Sequence, residues 1–218
     1  MSKSQNGSRK QALLENFTDL NQKVIELMRT KKPSVIFFLS ACFLFACNNI
    51  GYADTLWSKL KSGDHFVLIR HALAPGYSDP GNFDVEDCKT QRNLSDEGRQ
   101  QAENIGRLFR SNEIDTAILH SSQWCRCLET SRLLNLGKVA ELPALNSFFE
   151  NPDRELSQTE ALLKWLRSAP LKKPTVLVSH QVNIAALTEV SPESGEIIFV
   201  NRLVDGSLSV IGSIQTLE

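Results

Sequence analysis

Apolar residues recur along this chain in two rhythms. Short unbroken runs at 66–69 (Phe-Val-Leu-Ile), 116–119 and 175–179 have the length of buried strands, and 138–141 reads as a shorter one. Between them, apolar residues three and four apart mark helices. The clearest starts at Ser95 and runs to about Arg110. Leu94, Ala102, Ile105, Leu108 and Phe109 form its stripe, Ser95 can cap it, and Asp96 and Glu97 sit in the first turn, where the helix dipole favours negative charge. Further helices are predicted over 123–134, closed near Gly137, over 158–167, ended by Ala169-Pro170, and over 182–187. Segments 196–203 and 207–211 flank Val204-Asp205-Gly206 as a closing hairpin. This alternation predicts an α/β fold, a single three-layer domain with a mostly parallel central sheet and helices on both faces. A long polar loop, 74–92, interrupts it just after the first strand.

The first strand runs straight into Arg70-His71, with Pro75-Gly76 marking a turn beyond. Strand carboxyl ends are where open α/β sheets place their chemistry. A histidine held there beside a guanidinium suits attack on a phosphoryl group, because the arginine can hold the oxygens while the imidazole reaches phosphorus. Three other segments have matching character. They are Leu94-Ser95-Asp96-Glu97-Gly98 at a helix entry, Ser121-Ser122-Gln123-Trp124-Cys125-Arg126-Cys127-Leu128-Glu129-Thr130 after the second strand, and Val178-Ser179-His180 at the end of the third.

In that order the four segments resemble the histidine phosphatase superfamily, the phosphoglycerate-mutase-like branch 1. Its hallmarks are Arg-His-Gly/Ala, Leu-Ser/Thr-x-x-Gly, Ser-Ser-x-x-x-Arg-x-x-Glu/Asp-Thr and a late strand-end histidine. The likeness covers roughly residues 64–200 and is nearest to small exported bacterial members. It implies a phosphoglycerate-mutase-like fold and a phosphohistidine intermediate on His71. Arg70 and Arg126 then hold the phosphate, and His180 donates a further hydrogen bond as charge builds. Glu129, Thr130 and Trp124 brace the helix that carries Arg126, and Ser121 and Ser122 cap its start. Gln181 and Asn183, just past the late histidine, are candidate substrate contacts.

Composition narrows the picture further. Arg29-Thr30-Lys31-Lys32, the apolar stretch 35–46 and Gly51-Tyr52-Ala53 form the basic flank, short core and small-x-small cut of a signal peptide. The reading is an extension over 1–27, upstream of Met28 as the true start, then a signal peptide over 28–53 and a histidine phosphatase domain over 54–218. The expected location is periplasmic or secreted. Leu44-Phe45-Ala46-Cys47 offers a lipoprotein box, less favoured because Phe45 is bulky, and the apolar run is short of the ~20 residues of a membrane span. Residues 54–218 keep 17 of the 24 Lys+Arg and 22 of the 25 Asp+Glu, a net charge of −5. That balance does not suit a nucleic-acid partner, so positive charge at a phosphate must come from placed arginines. Three cysteines remain, Cys88, Cys125 and Cys127, and a bridge, if formed, joins Cys88 to one of the other two.

The general acid is the gap. Relatives carry Leu-x-Glu where this chain reads Ala144-Leu145-Asn146-Ser147. Glu150 and Asp153 lie close by, and Asp84, Glu86 and Asp87 sit in the loop after His71. Phosphomonoester hydrolysis is favoured over mutase chemistry, because 165 residues leave little room for substrate-gripping insertions. The expected substrate is a phosphorylated small molecule or an envelope glycan or lipid. No cofactor is expected, nor a metal, since His65, His71, His120 and His180 match no familiar ligand spacing. Two alternatives stay open: a phosphoryl-ligand binding protein with weak or lost turnover, and a phosphatase of phosphohistidine in proteins.

Overall fold

The computed structural model describes residues 53–217. The expected extension over 1–27 and the signal peptide over 28–53 lie outside the described residues, Ala53 excepted. Residues 53–62 are helical (α1). The elements that follow are β1 (His65–Arg70), α2 (Asp96–Ser111), β2 (Ile118–Ser121), α3 (Cys125–Leu133), β3 (Val139–Glu141), α4 (Glu155–Ser168), β4 (Thr175–Ser179), α5 (Gln181–Thr188), β5 (Ile197–Arg202) and β6 (Leu208–Ile214).

The sheet has six strands in the order β3-β2-β4-β1-β5-β6. The pairs β2/β3, β2/β4 and β1/β4 are parallel, and β1/β5 and β5/β6 antiparallel. The fold is therefore the expected α/β domain with a mixed, mostly parallel sheet. The antiparallel edge is the hairpin read from 196–211, and a register shift at Phe199/Val200 lets β6 continue to Ile214.

Alternation along β1 shows why helices lie on both faces. Val67 and Ile69 point into a core with Leu56, Trp57, Ile105, Phe109 and Cys127, from α1, α2 and α3. Phe66 and Leu68 point into a second core with Leu162, Leu166 and Ile184, from α4 and α5. A strand buried on both faces needs an unbroken apolar run, which is how it is written. α1 has no counterpart among the elements read from the sequence. Trp57 anchors it, meeting Phe109 and Phe199 edge-on with ring centroids 4.9 and 5.0 Å apart.

Two smaller differences follow from caps. β2 starts at Ile118 rather than 116, because Ile118 N–H bonds Pro174 and Ala117 N–H bonds Leu136 outside the ladder. α4 begins at Glu155, three residues before the expected start, after a 3₁₀ turn over Pro152–Arg154 that places Pro152 where its missing N–H costs nothing.

β1 and β4 are adjacent and parallel, so their carboxyl ends open side by side. Ser179 O accepts from His71 N–H at 3.0 Å and holds those ends together. Here strand order reverses, since the chain leaves β1 for β2 on the far side of β4.

Candidate active site

His71 leaves the end of β1 with its ring buried. Its Nδ1 lies 2.9 Å from the Ala72 carbonyl oxygen. A carbonyl can only accept, so Nδ1 carries the proton and Nε2 keeps its lone pair. Thr130, from α3, fixes this turn: its hydroxyl oxygen accepts from Ala72 N–H at 3.0 Å, and its O–H donates to Arg126 O at 2.7 Å.

His180 stands at the start of α5, edge-on to His71 with ring centroids 5.5 Å apart. Its Nε2 lies 2.9 Å from Ser122 Oγ and 3.5 Å from Cys127 Sγ. Burial, reinforced by the Arg126 charge, holds both imidazoles well below the ordinary histidine pKa, so both are neutral at physiological pH. Burial pushes the Cys127 thiol up to about 12, which makes it an inert part of the wall.

Three arginines face these rings across a pocket of about 470 Å³. Arg70 Nη1 donates to Pro192 O at 3.0 Å, and Arg92 Nη1 donates to Ala74 O. Arg126 gives both terminal nitrogens to one carboxylate, with Nη1 2.8 Å from Asp79 Oδ1 and Nη2 3.1 Å from Oδ2. In each of the three guanidiniums Nε is buried and has no hydrogen-bond partner among the described residues. Burial lowers the pKa of Arg70 and Arg92, and Arg126 lowers both further. An arginine so crowded by like charge is a ready anion site, since an oxyanion relieves the repulsion and satisfies the spare donors together.

The sequence of this region can now be placed among known proteins. Residues 66–151 match the histidine phosphatase superfamily, branch 1. No curated protein sequence matches the chain significantly. The chain resembles the structure of the protein histidine phosphatase SixA complexed with tungstate, at 14% identity over 70% of this chain and 97% of that one, with a TM-score of 0.51. It also resembles open reading frame Rv3214 from Mycobacterium tuberculosis, at 18% identity over 70% and 97% with a TM-score of 0.51. A third likeness is the native mycobacterial glucosyl-3-phosphoglycerate phosphatase Rv2419c, at 16% identity over 67% and 96% with a TM-score of 0.50. These likenesses show a shared fold.

The superfamily match contains Arg70, His71, Arg92 and Arg126, while His180 lies beyond its end and meets them through the sheet. Of the other residues singled out in the sequence, Glu150 and Gln181 line the pocket. Asn183 does not. It is buried behind the site, donating to Asn146 O at 2.8 Å. Asp153 is an exposed residue of the 3₁₀ turn that precedes α4 and is not part of the lining. Asp84, Glu86 and Asp87 are not part of the lining, and the carboxylates of Asp84 and Asp87 are taken up in the loop's own turns, accepting from Glu86 N–H and Lys89 N–H.

Three expectations change on the structure. The Arg126 fork is not open to a phosphate, because Asp79 fills it. Ser121 makes no cap at α3, whose first turn follows Trp124 without a side-chain cap; Ser122 Oγ accepts from Trp124 N–H at 3.3 Å just ahead of the helix and also meets His180. Glu129 braces the helix carrying Arg126 against α2, accepting from Arg99 Nε at 2.7 Å. Trp124 lines the pocket, stacks on Phe83 and donates through Nε1 to Asp79 Oδ2 at 3.0 Å.

Asp79 and Arg92 were not legible as site residues. Both sit in the polar loop 74–92, and only the folded path brings Asp79 to Arg126, 47 residues away. The available signal was Asp79-Pro80, a rigid step in a loop that follows the Arg-His pair. Among the described residues, no group of three or more His, Cys, Asp or Glu could hold a metal ion.

Proposed function

We propose that this chain is a phosphomonoester hydrolase that works through a phosphohistidine on His71. The observation that carries the reading is His71 itself. Its Nδ1 proton is spent on Ala72 O, which leaves the Nε2 lone pair free, and the residue lines a pocket together with the guanidiniums of Arg70, Arg92 and Arg126. Nε2 attacks phosphorus, the phosphorus–oxygen bond to the leaving alcohol breaks, and the charge is held by Arg70, Arg92 and Arg126. His180 lines the same pocket; with its Nε2 against Ser122, the other ring nitrogen is the one left to donate to the transferring group. Water then attacks the phosphohistidine, releasing inorganic phosphate and restoring the imidazole.

Glu150 lines the pocket, which supports it as the acid that protonates the leaving oxygen, whereas Asp153 is not part of the lining. The substrate class is a phosphorylated small molecule or an envelope glycan or lipid. Export is supported by the basic, apolar and small-residue pattern of 28–53, with lipid anchoring as the lesser variant. A second reading, dephosphorylation of phosphohistidine in proteins, is favoured by one observation: Glu150 is exposed and held by no hydrogen bond in the site, and phosphohistidine asks little of an acid. The protein histidine phosphatase SixA, whose fold this chain shares, is described with tungstate, a tetrahedral oxyanion.

The test is release of inorganic phosphate from an aryl phosphate by the full chain, beside His71→Ala. Turnover in the parent, abolished in the variant, is the expected result. Turnover retained by the variant rejects the nucleophile.

A further inference from the structure

Asp79 is the buried ionisable group for which the chemistry above has no use. Its side chain is only 8% exposed, that of Arg126 5%, and the pair lies against the anion pocket rather than on the surface. A carboxylate in a phosphate site is a puzzle, since it competes for the same guanidinium and repels the same ligand.

The hydrogen bonds resolve it. Four donors converge on the two oxygens of Asp79. Oδ1 takes Arg126 Nη1 at 2.8 Å and Arg92 N–H at 2.9 Å, and Oδ2 takes Arg126 Nη2 at 3.1 Å and Trp124 Nε1 at 3.0 Å. Were the carboxylate to swing away for a phosphate, Trp124 Nε1 and Arg92 N–H would each be left without an acceptor inside the wall, which is the costly way to lose a hydrogen bond. The pair therefore stays when an anion enters. Of the five N–H donors of Arg126, Asp79 takes one from each terminal nitrogen and Arg92 O accepts from Nη1 at 3.3 Å, so the second Nη2 N–H and the buried Nε–H have no partner among the described residues. Asp79 thus sets the plane of the guanidinium. It also cancels one of the four arginine charges that line the pocket, and Glu150 offsets another, so that with both histidines neutral the site carries a net +2, the complement of a phosphate dianion.

We propose that Asp79 is a positioning residue for phosphate, acting through Arg126: it fixes the guanidinium so that the remaining Nη2 N–H meets the phosphoryl oxygen, and it rests on the phosphate-site reading given above. Asn cannot replace it, because its NH₂ would face a donor, either Trp124 Nε1 or an Arg126 Nη. One position thereby joins the loop over the pocket, through Arg92, to the helix carrying the second guanidinium.

The experiment is a double-mutant cycle read as the Kd of inorganic phosphate, by calorimetry on the full chain. Asp79→Asn is expected to weaken binding roughly ten- to a hundredfold, the worth of one charge-assisted hydrogen bond. Arg126→Ala is expected to do the same, and Asp79→Asn added to Arg126→Ala to bring no further loss, since it then removes a negative charge that Arg126 no longer balances. Tighter binding in Asp79→Asn overturns the proposal, showing that the carboxylate merely competes with phosphate. So does an equal loss in both backgrounds, which marks a general structural role. Should Asp79→Asn fail to fold, Trp124→Phe removes one of the four donors; a weaker Kd in the parent, absent with Arg126→Ala, is expected, and the same effect in both overturns it. Turnover does not enter this readout. A parent that binds phosphate without hydrolysing ester rejects the phosphatase reading alone, whereas a parent that binds none rejects both.

Discussion

Cys88 is bridged to Cys125, the residue immediately before Arg126. The bridge pins the loop over the pocket to the first turn of α3, and Gln91 Oε1 adds a bond from Cys125 N–H at 2.9 Å beside it. Cys127, two residues on, faces the core under His180 and stays free. Helical geometry makes this choice between the two cysteines, since neighbours two apart point to different sides.

Reducing this bridge is expected to cost both stability and phosphate binding. Its 37-residue separation corresponds to about 4 kcal/mol by chain entropy. Thermal unfolding of the full chain with and without reductant checks the first part, and Cys88→Ser must reproduce it. An unchanged Tm contradicts the bridge as a structural element.

Gly98 sits where α2 presses on the turn after His71. A Cβ there would overlap the Leu73 carbonyl oxygen, which also accepts the Ser95 N–H. The clash is with backbone, so Gly98→Ala is expected to destabilise the domain by about 1–3 kcal/mol. Denaturant unfolding reads this, and a variant as stable as the parent contradicts the close approach.

The two buried histidines give stability a definite pH dependence. Their folded pKa values lie well below the ordinary 6.5, burial being the first cause, so the unfolded chain binds more protons once pH falls through that value. The stability tied to neutral His71 and His180 is complete above about pH 7 and drains away on acidification below 6.5. Unfolding free energies between pH 7.5 and 5 are expected to fall in the parent. The slope should be shallower in His71→Ala and His180→Ala; identical slopes contradict the assignment.

Glu150 separates two classes of leaving group. If it protonates the departing oxygen, Glu150→Gln should slow hydrolysis of an alkyl phosphate about 10²-fold or more and leave an aryl phosphate nearly untouched. Initial rates on the two esters decide it. Equal effects on both assign Glu150 to binding.

What could be read from the sequence divides along physical lines. β1 and β4 were legible because both faces are covered, which demands apolar runs, and because each ends in a histidine. α2 was legible through its cap and stripe, with Ser95 Oγ indeed accepting from Gly98 N–H. α1 escaped because its apolar residues, Leu56, Trp57 and Leu60, are few among polar neighbours and gain meaning only against Phe109 and Phe199. Asp79 and Arg92 escaped for a related reason. A loop residue's partner is chosen by the path of the chain and not by its neighbours in sequence, so a carboxylate 47 positions from its arginine carries no periodic signature.

The covalent intermediate is the central claim. The full chain is mixed with radiolabelled phosphoester, quenched within the first turnover in alkali, and mapped by peptide. Label that is stable to alkali, lost in acid and confined to His71, and absent from His71→Ala, is the expected result. Steady hydrolysis with no label on His71, or label at another residue, contradicts the account.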